Sequence, residues 1–67
     1  MIDIYLNGEA ANLPAGMNIR GLIEHMQLTG KRIAVEVNRE IVPGSLHEER
    51  TLEAGDQVEI VQAIGGG

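Results

Sequence analysis

The feature that most constrains this chain is its opening stretch, "MIDIYLNGEA". Ile2, Ile4 and Leu6 alternate with Asp3, Tyr5 and Asn7. A strand with one apolar and one polar face, half buried in a sheet, has this period. Asn7-Gly8 follows directly, and both residues tolerate positive φ, so the pair is a strong signal for a type I′ hairpin. The return strand is expected from about Glu9 to Leu13, and Pro14 ends it at a sheet edge. The next segment changes period. Asn18 is a good helix N-cap, and Ile19, Leu22, Ile23 and Met26 then recur at i, i+3, i+4 and i+7, the stripe of an amphipathic helix. Met17 before the cap and Leu22 inside the helix are placed for a hydrophobic staple. Gly21 costs such a helix about 1 kcal/mol relative to alanine, and a close approach to the sheet would account for it. Gly30 is the expected stop.

Beyond the helix, Ile33, Val35 and Val37 fall on one face of a third strand, with Ala34 and Glu36 on the other. "EIVP" reads as a short extended piece. Residues 44–54 read as loop with one helical turn around Ser45 to Glu49, pinned to the core by Leu46 and Leu52. Gly55-Asp56 is a turn, and "QVEIVQAI" is the last strand, with Val58 and Ile60 inward and Glu59, Val61 and Ala63 outward. A hairpin followed by one helix is not a run of βαβ units. The fold class is therefore α+β, a mixed sheet of four to five strands with one main helix on one face. The helix crossover should join two strands running parallel. This is the layout of the β-grasp, or ubiquitin-like, roll. Residues 1–63 are expected to form the domain, and 64–67 a flexible glycine tail.

The composition limits how such a fold is held. A chain of 67 residues makes one small domain. Domains of that size bury only about 60% of the surface that their unfolded chain exposes. There is no cysteine, so neither a disulfide nor a thiolate metal site is available. Two histidines, His25 and His47, are too few for a zinc cage, and no bound metal or cofactor is expected. Tyr5 is the single aromatic residue, so the core must be aliphatic. The formal net charge is −5, and the five basic residues, Arg20, Lys31, Arg32, Arg39 and Arg50, are scattered. That pattern offers no stripe for a phosphate backbone and no stacking platform, which excludes nucleic acid as the expected partner. Acidity suits a basic partner surface, where opposite charge speeds encounter, or serves solubility alone. Met1-Ile2-Asp3 has no secretory pattern, and no run has the ~18–20 apolar residues of a membrane span. A cytoplasmic protein with no membrane partner is expected.

The chemistry is sparse. Ser45 and His47 are two residues apart, yet no nucleophile-elbow motif surrounds the serine, and a surface loop is the expected reading. His25 reads as a partly exposed helix residue. Glu48, Glu49 and Glu53 read as a solvated acidic face. The glycines of "AIGGG" follow a strand without opening a helix, so they are no phosphate loop. What remains reactive is the α-carboxylate of Gly67. Gly65, Gly66 and Gly67 lack a Cβ and explore nearly all backbone space. Extended, they make a thin filament of roughly 10 Å that fits a narrow channel in a partner. A carboxylate is inert until activated, so that partner would adenylate it with ATP and Mg²⁺. The acyl-adenylate then accepts a sulfur donor or an amine. Tyr5, Val61 and Ala63 on the open sheet face, with Ile64 at the root of the tail, are the candidate docking residues.

Three segments carry a resemblance. "IYLNGE", "AVEVNREIVP" (Ala34 to Pro43) and "LEAGDQVEIVQAIGGG" (Leu52 to Gly67) resemble the opening hairpin, the central strand and turn, and the closing segment of the ThiS/MoaD sulfur-carrier family. The resemblance is greatest to the thiamine branch and covers essentially the whole chain. It implies that an E1-like adenylyltransferase of the ThiF type activates Gly67, with Gly66 its obligatory neighbour. It implies conversion to a thiocarboxylate with sulfur from cysteine through a desulfurase, and donation to a thiazole synthase of the ThiG type. The chain itself would be a carrier, not an enzyme. With no cysteine, it cannot carry sulfur as a side-chain persulfide. The readings left beside this one are the small subunit of molybdopterin synthase, a ubiquitin-like protein modifier, and an interaction module whose tail is inert. Gly65 exceeds the minimal glycine pair, and many family members have an aromatic residue where this chain has "SLHEER".

Overall fold

The computed structural model describes residues 1–62. In chain order these form β1 (Ile2–Leu6), β2 (Glu9–Leu13), α1 (Ile19–His25), β3 (Ile33–Val37), β4 (Glu40–Ile41), a 3₁₀ turn at Gly44–Leu46 and β5 (Gln57–Gln62). The five-stranded sheet has the order β2-β1-β5-β3-β4. β1 pairs parallel with β5, and the other pairs are antiparallel. β2 and β3, joined through the helix, consequently run in the same direction, as a crossover requires. They are not neighbours, however, because β1 and β5 lie between them. This is the β-grasp arrangement, an α+β fold with one helix against one sheet face.

Two tight turns shape the sheet. Asn7 (φ 51°) and Gly8 (φ 84°) make the hairpin turn read from the sequence. A second pair with positive φ, Asn38 (52°) and Arg39 (69°), joins β3 to β4 where the sequence had indicated only an extended piece. Arg39 has a Cβ, and a left-handed backbone there costs about 1–2 kcal/mol. Tertiary hydrogen bonds hold the turn in place. Asn38 N–H donates to the Gln57 carbonyl at 2.7 Å, its Nδ2 to Asp56 Oδ1 at 3.0 Å, and its Oδ1 accepts from Gln57 N–H at 2.9 Å.

The helix is shorter than its stripe implied. Its cap is as expected: Asn18 Oδ1 accepts from Gly21 N–H at 2.7 Å. The reason for Gly21 is different. A Cβ at Gly21 would stand 3.2 Å from Met17 Cγ and 3.3 Å from Asn18 Oδ1, so the missing side chain makes room for the cap, not for the sheet. Nor does the helix run to Gly30. It ends at His25, and Gln27 turns left-handed at φ 60°. Leu28 N–H then bonds Ile23 O at 2.9 Å, and Gln27 N–H bonds Glu24 O at 3.0 Å. These are the paired bonds of a Schellman stop, made with glutamine where glycine is usual. Gly30 (φ 82°) shapes the turn that follows.

A seven-residue helix is marginal alone, and this one is stabilised by what it packs on and by what caps it. Ile19, Leu22 and Ile23 are buried with Ile4, Leu13, Val35, Val37, Leu52, Val58 and Ile60 in one aliphatic core. The 47–50 segment supplies acceptors for the free amides at the helix start: Ile19 N–H bonds Arg50 O at 3.0 Å, and Arg20 N–H bonds His47 O at 3.1 Å. Leu52 is buried as expected and its N–H bonds Met17 O at 2.9 Å. Leu46 is not a core anchor. It is 43% exposed, because the loop is pinned through its backbone carbonyls instead of that side chain. Leu46 faces a shallow cleft shared with Ile41, Val42 and Pro43.

Candidate functional site

Ala63, Ile64, Gly65, Gly66 and Gly67 lie outside the described residues. What the structure does describe is the strand that leads to them and the surface beside it. β5 is fixed along its length. Tyr5 N–H bonds Asp56 O at 2.9 Å and Asn7 N–H bonds Val58 O at 2.8 Å, while Asn7 Oδ1 accepts from Ile60 N–H at 2.8 Å. On its other side β5 pairs with all of β3, from Val37↔Val58 to Ile33↔Gln62.

Asp56 anchors the start of the strand. It is the one buried charged side chain among the described residues, at 6% exposure. Its Oδ2 accepts from Glu53 N–H at 2.8 Å and pairs with Arg50 Nη2 at 3.3 Å, and its Oδ1 accepts from Asn38 Nδ2. The "GD" before the last strand is therefore more than a turn signal. The aspartate ties the incoming loop, the β3–β4 turn and β5 together, and so fixes which β5 residues face out. Sequence reasoning had no signal for that, because its partners are 3 to 18 residues away.

The outward face follows from this register. Tyr5 (51% exposed) stands opposite Gln57, and Val61 (60%) stands opposite Ala34. Tyr5 and Val61 are both exposed, but Glu59 lies between them along β5. Tyr5 and Val61 therefore do not make one continuous apolar patch. Nearer to Val61 than Tyr5 is a residue the sequence reading missed. Ile41, 72% exposed, stands opposite Glu36, and Glu36 in turn stands opposite Glu59. Ile41 sits in a two-residue strand, too short for a period to assign its face.

Ser45 and His47 both line a cleft of about 770 Å³ with Ile23, Leu28 and Arg32. They form no nucleophile–base pair, since the His47 imidazole Nε2 lies 3.0 Å from the Val42 carbonyl oxygen. His47 thus holds the end of β4 against the 3₁₀ turn. His25 is exposed on the helix. Glu48 pairs with Arg20, while Glu49 and Glu53 are exposed. Among the described residues no group of three or more His, Asp or Glu is placed to hold a metal, and no helix is long and apolar enough to cross a membrane.

Fold and surface together define a ubiquitin-like β-grasp domain with a fixed last strand and no catalytic constellation among its described residues. The chain belongs to the ThiS family, whose model it matches over residues 4–67. It is 36% identical, over 96% of its length, to the sulfur carrier protein ThiS of Thermus thermophilus, covering 98% of that protein. It is 39% identical, over 98% of its length, to a thiazole synthase of Paramagnetospirillum magneticum. The chain spans only a fifth of that synthase's length, 20%. The crystal structure of a thiamine biosynthesis protein (ThiS) from Geobacter metallireducens superposes with a TM-score of 0.85, covering 98% of this chain and 100% of that one at 23% identity. That likeness establishes the fold.

Proposed function

We propose that this protein is a sulfur carrier in thiamine biosynthesis and that Gly67 is the residue that carries the sulfur. The observation that carries the reading is that the family match runs through the glycine tail to residue 67. The described residues, meanwhile, offer no metal cluster and no nucleophile–base pair of their own. The Gly67 carboxylate attacks the α-phosphorus of ATP in an E1-like partner that holds Mg²⁺, and pyrophosphate leaves. A donor persulfide, charged from cysteine by a desulfurase, then displaces AMP to give an acyl disulfide. A thiol reductant cleaves that S–S bond, leaving the thiocarboxylate and itself ending as a disulfide. Thiazole synthase accepts that sulfur. The partnership is supported by relatives named thiazole synthase that contain a segment similar to this chain.

Each part of the chain has a role in this scheme. Gly65 and Gly66 are the thin segment that threads the partner's channel. Val61, Ala63 and Ile64 dock beside the channel mouth, with Tyr5 contacting the partner separately. All of this takes place in the cytoplasm. Mass spectrometry of the protein co-produced with an E1-like adenylyltransferase, a desulfurase and cysteine tests the reading. One oxygen at Gly67 should be replaced by sulfur, and Gly67 deletion should abolish the change. A plain carboxylate under these conditions overturns it, and Gly67-dependent conjugates on lysines would assign the tail to protein modification instead.

A further inference from the structure

At the centre of the open sheet face the fold does something that its own stability does not require. Glu36 on β3 and Glu59 on β5 are directly opposite partners, and the alternation puts both on the side away from the helix. Residues opposite one another on antiparallel strands have Cβ atoms about 4.5–5.5 Å apart, and like charges there are destabilising. Among the described residues neither glutamate is in an ion pair. The ion pairs among the described residues are Arg20–Glu48 and Arg50–Asp56. Arg32 and Arg39 flank the two ends of β3, beyond Ala34 on one side and beyond Val37 on the other.

Toward the end of β5 and on the β4 side the surroundings are apolar, while Gln57 follows on the other side. Ile41 stands on the other side of Glu36, and Ala34 and Val61 form the next row toward the tail. Ile41 and Val61 are among the most exposed large hydrophobic residues described, at 72% and 60%. A charged centre flanked by aliphatic side chains becomes desolvated when a surface closes over it, and electrostatic attraction is then far stronger than in water.

Resting on the carrier reading, we propose that this face docks on the adenylating partner through a cationic side chain inserted between Glu36 and Glu59, with Ile41 and Val61 packed around it. A guanidinium suits the site best, since its planar fork bonds two carboxylates at once. A second copy of this chain does not fit. It would bring a second glutamate pair onto the first, in a protein whose net charge is already −5. The position is also continuous with the function: Val61 and Ala34 close the row beside the end of β5, so a partner seated there lies beside the last described residues, from which the sequence continues into the tail. The repulsion is retained because it is relieved only in the correct complex, which makes the pair a selector for a complementary surface.

The test compares E36Q/E59Q with a control of equal charge change, E49Q/E53Q, in steady-state adenylation (ATP–pyrophosphate exchange) by the partner at several salt concentrations. The face variant should raise KM for the carrier about tenfold with kcat unchanged, and should flatten the salt dependence. Its melting temperature should equal or exceed that of the parent, which separates lost docking from lost folding. The control should leave KM within about twofold of the parent. An unchanged KM and salt slope in E36Q/E59Q, or an equal loss in both variants, overturns the proposal. A parent protein that is not adenylated at all overturns the carrier reading, and this inference with it. A parent that is adenylated alongside an unaffected face variant overturns this inference alone.

Discussion

Val58 and Glu59 are neighbours in sequence and belong to different environments. Val58 is 1% exposed among Ile4, Leu22 and Val35, whereas Glu59 faces solvent opposite Glu36. The same contrast runs through the whole sheet. On the helix side the central positions, Ile4, Val35, Val37, Val58 and Ile60, are aliphatic and buried, because a small domain without cysteine depends on burial to hold it together. On the other side, charged residues alternate with exposed Tyr5, Ile41 and Val61, and one row holds two like charges. The covered face was shaped by the requirements of folding. The open face bears residues that folding alone would not choose, which is the basis for proposing it as a recognition surface.

Substitutions can test how sharp this division is. The largest effect is expected on the covered face. Ile4→Ala, at a site that is 0% exposed, should cost about 2–5 kcal/mol, read as a fall in the midpoint of urea unfolding. A loss below 1 kcal/mol would mean that the core adapts more freely than its packing implies. A smaller loss, about 1–3 kcal/mol, is expected from Asp56→Ala, which strips partners from Glu53 N–H, Arg50 and Asn38 Nδ2 without touching the apolar core. Because Asp56 secures the start of β5, amide exchange in that variant should rise first in residues 57–60. Protection that falls evenly across all strands would show that the register has other determinants. The smallest effect belongs to the open face. Val61→Ser should change stability by no more than about 0.5 kcal/mol while weakening association with the adenylating partner. A large stability loss would show that the open face also holds the fold together.

Much of the architecture was legible in the sequence because it rests on short-range physics. The Asn7-Gly8 turn, the N-cap at Asn18 and the in-out alternation of residues 33–37 and 57–62 are set by neighbours within a few residues. Elements that failed to read correctly depend on distant partners. Gln27 ends the helix in a left-handed conformation that glycine would adopt more readily, and the sequence pointed to Gly30. Asn38-Arg39 turns because Asp56 and Gln57 hold Asn38. Leu46 looks like a core residue by composition but is exposed, since carbonyls of its loop cap the helix. The candidate site divides in the same way. Tyr5 and Val61 were identified as outward from period alone, but their separation by Glu59, and the addition of Ile41, required the strand register.

The sequence by itself determined the class of this protein: a hairpin, one amphipathic helix and a closing strand can bury an aliphatic stripe in few ways. Local periodicity and turn chemistry carry that much. Only the tertiary structure decided which strands are neighbours, that β5 lies between β1 and β3, and that Glu36 therefore faces Glu59. The pairing of β3 with β5 is set by contacts more than 20 residues apart. No local pattern encodes such contacts, because each strand's alternation is satisfied equally well beside any partner of the same phase.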